Sequence, residues 1–166
     1  MDNISIEKFD ISDLEQIRDT LENEFDDFWN SNILEHELNN DTSIYLCCKL
    51  DFEIIGFAGI TIILDTAELN NIVIKKNKRG NGYSSLLLKE LIKISKSRNC
   101  TKFNLEVASN NKIAINLYKN FGFKQVGTRP NYYHSADALL FTLDIWYFLQ
   151  KSIDKPQKIL YTIFCS

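Results

Sequence analysis

Arg79-Gly80-Asn81-Gly82-Tyr83-Ser84-Ser85 joins an apolar run, Ile72-Val73-Ile74, to an amphipathic stretch, with Lys75, Lys76 and Lys78 in between. A basic, glycine-containing turn that feeds a helix N-terminus is an anion site. Glycine lets the backbone approach closely, the first N–H groups of a helix lack intrahelical partners, and the macrodipole favours negative charge there. A phosphate is the expected guest; the plainer alternative is an exposed turn holding two glycines. Two further side chains could move protons. Glu106 sits between Leu105 and Val107 in an alternating run, so it points away from both. By itself it reads as a solvated strand carboxylate. Tyr118, in a short helical stretch, is either a core aromatic or a phenol that can give up a proton.

Several other chemistries are excluded or disfavoured. No G-x-x-x-x-G-K-[ST] occurs, which removes a Walker loop. A dinucleotide fingerprint is a poor fit, because Ser85 stands at its third glycine and four residues separate Ile74 from Arg79. Cys47, Cys48, Cys100 and Cys165 show no C-x-x-C spacing, and His36 and His134 stand at no ligand spacing from them, so neither a zinc site nor a histidine triad is expected. The cysteines are expected to be reduced apolar side chains and the histidines structural.

The elements that must position the loop, Glu106 and Tyr118 are legible from periodicity. The chain has 166 residues, 45% hydrophobic and 25% charged, with 6 Gly and 2 Pro, which fits one compact domain rather than a disordered or repeat-built chain. No apolar stretch approaches the roughly 18–20 residues of a membrane span, and the start MDNISIEKFD does not resemble a signal peptide, so the expected location is the cytoplasm. Alternation marks strands over 4–9, 43–50, 54–64, 69–74, 103–107, 124–129 and 138–149. Helical spacing marks 12–25, opened by a Ser12/Glu15 capping box, then 31–38, 83–98 and 111–120. The domain is expected over 1–149, with 150–166 a tail of unassigned structure. Charge is uneven: residues 1–74 carry 17 acidic and 3 basic side chains, 75–102 carry 1 and 9, and 103–166 carry 4 and 7, leaving a net charge of −3. Such a layout suits an anionic ligand at the middle segment and a cationic one near the acidic half.

Together with the loop, Leu105-Glu106-Val107, Asn111-Lys112-Ile113-Ala114-Ile115-Asn116-Leu117-Tyr118 and Asn120-Phe121-Gly122-Phe123 resemble, in order, the acyl-coenzyme A loop and downstream motifs of the GNAT superfamily of N-acetyltransferases. Phe57-Ala58-Gly59, Asn71-Ile72-Val73-Ile74 and Asn131-Tyr132-Tyr133 narrow the likeness to RimI-type ribosomal-protein-alanine N-acetyltransferases. The likeness extends from about Ile4 to Leu143. It departs at Ser84, where the loop's last small residue is Gly or Ala, and in the short turn between Tyr133 and Asp137.

The resemblance implies a mixed α/β fold: a largely antiparallel twisted sheet of about seven strands with one splayed parallel pair, flanked by about four helices. It implies acetyl-coenzyme A as co-substrate and no metal, with N–H groups of Gly80, Asn81, Gly82, Tyr83, Ser84 and Ser85 on the pyrophosphate and Arg79 and nearby lysines adding charge. Ile72, Val73 and Ile74 would pair with the pantetheine arm, and Asn111 would bond the cofactor while serving as a helix cap. Glu106 becomes the general base and Tyr118 the general acid, also at the cofactor, with Trp29, Asn71, Tyr132 and Tyr133 on the acceptor side. An α-amino group, with a reference pKa near 7.7–8.0, is easier to deprotonate than a lysine near 10.4 by about 3.4 kcal/mol. That favours a protein N-terminus, the alanine of a ribosomal protein, over lysine, a polyamine or an antibiotic. A non-catalytic acyl-coenzyme A sensor is the other class; nucleic acid and membrane are not expected partners.

Overall fold

A computed structural model describes residues 3–25, 30–133 and 136–145. Trp29, His134 and the tail over 150–166 lie outside the described residues. The elements run β1 (Ile4–Lys8), α1 (Ile11–Ile17), a π-helical turn (Leu21–Phe25), α2 (Ser31–Leu38), β2 (Ser43–Leu50), β3 (Glu53–Ile63) and β4 (Thr66–Ile74). A 3-10 turn (Lys76–Lys78) leads to α3 (Tyr83–Ser97), β5 (Lys102–Ala108), α4 (Lys112–Asn120), β6 (Lys124–Tyr133) and β7 (Ala136–Asp144). The strands form one seven-stranded sheet in the order β1-β2-β3-β4-β5-β7-β6. It is largely antiparallel, with β4 and β5 the parallel pair, in register over Thr66–Glu68 against Lys102–Asn104. Mixed α/β architecture, strand number and the parallel pair agree with the expectation.

The described residues divide into two compact units, one of residues up to Thr61 with Asn70–Lys93, the other of Ile62–Leu69 with the described residues from Ile94 to Ile145. In the first, Phe9, Leu14, Ile17, Leu21, Phe25, Leu34, Tyr45, Cys47, Ile54, Phe57 and Val73 pack as one buried cluster. Phe9 and Phe57 stack at 5.3 Å. The α1 start differs from the Ser12/Glu15 expectation. Asp10 is the cap, accepting from Ser12 N at 2.8 Å and Asp13 N at 3.2 Å, while the Asp13 carboxylate accepts from Asp10 N at 3.2 Å. Asp10-x-x-Asp13 wins because it puts buried Phe9 just before the cap and buried Leu14 one turn inside, bracketing the first turn with apolar contacts. The 12–25 stretch also divides: α1 ends at Ile17 and a separate π-helical turn carries Leu21 and Phe25 into the core. Both Cys47 and Cys48 are fully buried on β2, and burial pushes their thiols up, Cys47 to about 12 and Cys48 to about 11.

In the second unit β5 alternates as its sequence predicts, with Phe103, Leu105 and Val107 buried and Asn104 and Glu106 on the half-open face. Phe123, after α4, meets Phe103 and Tyr118 edge-on at 5.7 and 5.8 Å, which fixes α4 against the sheet. Strand β6 is the sheet's edge and is exposed along most of its length.

Candidate active site

In the first unit the anion loop follows directly from how β4 ends. Lys75 is buried, and its Nζ lies 2.6 Å from Glu24 and 2.8 Å from Glu53, 5.5 Å over the Phe25 ring. Lys76 Nζ donates to the Asn23 carbonyl at 2.9 Å. Arg79 donates through Nε to Ile74 O at 3.0 Å and through Nη2 to Phe25 O at 2.7 Å. These cations hold the loop to β4 and the π-helical turn. Lys75 is thereby neutralised within the protein by Glu24 and Glu53.

What the loop offers an anion is backbone. Gly80 and Gly82 have φ of +82° and +83°, and Asn81 Nδ2 steadies the turn by donating to Lys78 O at 3.0 Å and Arg79 O at 3.2 Å. Gly82 O receives the first bonds of α3, from Ser85 N at 3.0 Å and Leu86 N at 3.3 Å, so the N–H groups of Gly82, Tyr83 and Ser84 precede the helical ladder. A Cβ built on either glycine meets nothing within 4 Å, so the protein itself leaves the concave side open. This arrangement suits a diphosphate. Val73, Ile74 and Asn71 of β4 are buried, with Ile72 half-buried.

In the second unit two of the residues singled out in the sequence, Glu106 and Tyr132, meet one that was not, Arg129. Glu106 is half-buried, and its Oε1 lies 3.2 Å from Arg129 Nη2. The Arg129 guanidinium sits 5.6 Å over the Tyr132 ring, and Tyr132 meets Tyr133 edge-on at 5.2 Å. Burial first, then the charge of Glu106, raises the Tyr133 phenol above the usual tyrosine range. Tyr118 is buried, and that burial, with a smaller contribution from Tyr133, pushes its phenol well above the ordinary value. Tyr118 therefore stays protonated at neutral pH. Asn111 caps α4 through Oδ1, which accepts from Ala114 N at 3.1 Å.

Arg129 escaped the sequence reading because Glu106 pairs with Leu140 of β7 and Arg129 with Ala138 of β7; the contact spans two strand steps and depends on register. Trp29 lies outside the described residues. Among the described residues no group of three or more His, Cys, Asp or Glu side chains could hold a metal ion, and no helix is long and apolar enough to cross a membrane.

The Acetyltransferase (GNAT) family profile matches residues 12–123. A Bacillus subtilis (strain 168) protein named "Putative ribosomal protein bS18-alanine N-acetyltransferase" is 31% identical over 138 residues, covering 81% of this chain and 91% of its own. The crystal structure of the ribosomal-protein-S18-alanine N-acetyltransferase from Escherichia coli superposes with a TM-score of 0.78 at 24% identity, covering 96% of this chain and all of that one. The PaiA N-acetyltransferase from Thermoplasma acidophilum, solved in complex with coenzyme A, does so at 0.70 and 22%, covering 86% and 99%. These two structures show the shared fold. The chain belongs to the GNAT family of acetyltransferases, enzymes whose acetyl donor is acetyl-coenzyme A.

Proposed function

We propose that this protein transfers the acetyl group of acetyl-coenzyme A to a protein N-terminus, the N-terminal alanine of a ribosomal protein, with Glu106 as general base and Tyr118 as general acid. The observation that carries the reading is the glycine loop leading into α3, with Gly80 and Gly82 at φ of +82° and +83° and the N–H groups of Gly82 to Ser84 ahead of the helical ladder, in a chain that the GNAT family profile matches over residues 12–123. The name of the Bacillus relative supports the acceptor.

Bound acetyl-coenzyme A supplies an activated thioester. The chain's own residues do the rest. Backbone N–H groups over Gly80–Ser85 bind the diphosphate, and the β4 edge at Ile72, Val73 and Ile74 aligns the pantetheine arm as an added strand would. Glu106 draws a proton from the acceptor ammonium, directly or through a water, and Arg129 holds its carboxylate in place meanwhile. Tyr118, kept neutral by burial, protonates the departing thiolate. Asn111 bonds the donor, and Tyr132 and Tyr133 wall the acceptor, with Asn71 and Trp29 assigned to the same side.

The test is thiol release and product mass with acetyl-coenzyme A and an Ala-starting ribosomal peptide, beside a panel of polyamines, amino-sugar antibiotics and small amines. The peptide is expected to be turned over. Glu106→Gln and Tyr118→Phe are each expected to lower kcat by about 10²-fold or more, the first with coenzyme A affinity retained and the second chiefly by slowing departure of the thiol. Turnover confined to the panel would remove the ribosomal acceptor, and full activity in both variants would remove the assigned roles.

A further inference from the structure

Two asparagines stand side by side on β4 and are treated differently. Asn70 is fully wired: its Oδ1 accepts from Thr61 Oγ1 at 3.0 Å, and its Nδ2 donates to Thr61 Oγ1 at 2.9 Å, Glu37 Oε2 at 3.1 Å and the Tyr45 hydroxyl at 3.4 Å. Asn71 is 7% exposed, and both its Nδ2 and its Oδ1 are buried with no hydrogen-bond partner. A native interior rarely leaves a carboxamide in that state, because the group loses water at both ends and gains nothing in return. Leucine or methionine would fill similar space without that penalty. Asn71 immediately precedes Ile72–Ile74, the segment assigned to the pantetheine arm.

We infer that the Asn71 carboxamide is a recognition group for a secondary amide of the bound substrate, its Nδ2 donating to the amide carbonyl and its Oδ1 accepting from the amide N–H. The chemistry of the orphaned atoms selects that ligand. A phosphate or carboxylate would satisfy Nδ2 and oppose Oδ1; an ammonium of a polyamine would satisfy Oδ1 and leave Nδ2 against a cation. Another amide answers both, in one plane. Two substrates carry such a group: the pantetheine arm of coenzyme A, and the first peptide bond of a peptide acceptor. The inference rests on the acetyltransferase reading and deepens it. If the acceptor is the source, the site is built for amines that carry a peptide bond, which a simple polyamine lacks.

The experiment is Asn71→Leu, with Asn71→Asp as the variant that keeps shape but replaces the donor. Coenzyme A affinity is measured by calorimetry, kcat/KM is measured on an Ala-starting peptide and on an amine without an amide, and Tm is measured without ligand. Asn71→Leu is expected to raise Tm, since it removes two unpaired buried atoms, and to lower substrate recognition about 10- to 30-fold, the loss of two neutral hydrogen bonds. A loss confined to the peptide's kcat/KM identifies the acceptor's peptide bond; weaker coenzyme A binding with both amines slowed identifies pantetheine. Asn71→Asp is expected to lose the same step. Unchanged affinity and unchanged kcat/KM on both amines, or a Tm that falls with recognition intact, overturns the inference. Should Glu106→Gln still abolish turnover in that case, the acetyltransferase reading stands while the role of Asn71 falls; an inert wild type removes the reading itself.

Discussion

Gly82→Ala separates the stability of the anion loop from its binding role. An L-residue held at the φ of +83° found for Gly82 costs about 1–2 kcal/mol, partly offset by about 0.4–1 kcal/mol from the lower entropy of the unfolded chain. No steric cost adds to this, since the new Cβ meets nothing within 4 Å. The net is about 1 kcal/mol, a Tm drop of about 2–4 °C for a 166-residue chain. Binding should suffer far more. If the N–H groups around Gly82 grip a diphosphate, the methyl group stands where phosphate oxygens approach, and one charge-assisted hydrogen bond lost is about 1.5–3 kcal/mol, or about 10- to 150-fold in Kd. Calorimetric titration with coenzyme A gives the second number and a thermal scan the first. A Kd within about threefold of wild type, with Tm lowered as expected, would refute the claim that this loop is the diphosphate cradle.

Arg129→Gln is expected to leave Tm nearly unchanged, because its pair with Glu106 is half-exposed and such pairs contribute about 1 kcal/mol or less, yet to cut kcat/KM several-fold. Arg129→Lys should recover part of the rate, and equal losses in both variants would point away from charge-based positioning. Gly59→Ala drives a Cβ into the buried Tyr45 ring, so a loss of about 2–3 kcal/mol and a Tm lower by about 4–12 °C are expected; an unchanged Tm would show that the ring can step aside. Stability should fall as pH rises through about 9 and beyond. Cys47, Cys48, Tyr45 and Tyr118 all have folded pKa values raised by burial, so the unfolded chain releases their protons first. Urea midpoints at pH 7, 9 and 10.5 test this, and a flat profile contradicts it. The same thiols should stay unmodified by a disulfide reagent at pH 8 until the protein is unfolded.

Elements whose local signals agreed were legible in the sequence. The α2 bounds of Ser31–Leu38 and the β2 bounds of Ser43–Leu50 follow from capping and alternation, and the burial of Leu105 and Val107 on either side of Glu106 follows from strand geometry. Where two signals competed, the choice needed tertiary information. Ser12/Glu15 and Asp10/Asp13 both satisfy a capping pattern, and only the burial of Phe9 decides between them. Cations were the weakest point. Lys75 reads in one dimension as part of a phosphate-binding block, whereas Glu24 and Glu53, distant in sequence, neutralise it. Likewise nothing local distinguishes Asn70 from Asn71, since the difference lies wholly in which one finds partners.

The β6 strand carries a last consequence. Among the described residues it ends the sheet with an open row of backbone groups, a template on which another chain could add and begin to aggregate. Its register with β7 slips twice, between Gln125 and Gly127 and between Arg129 and Tyr133, and Pro130 removes a donor within the second slip. That second slip also begins at Arg129, the residue that reaches Glu106. Straightening β6 to a regular ladder would therefore do two kinds of harm at once: it would take Arg129 off the carboxylate, and it would make the molecule sticky.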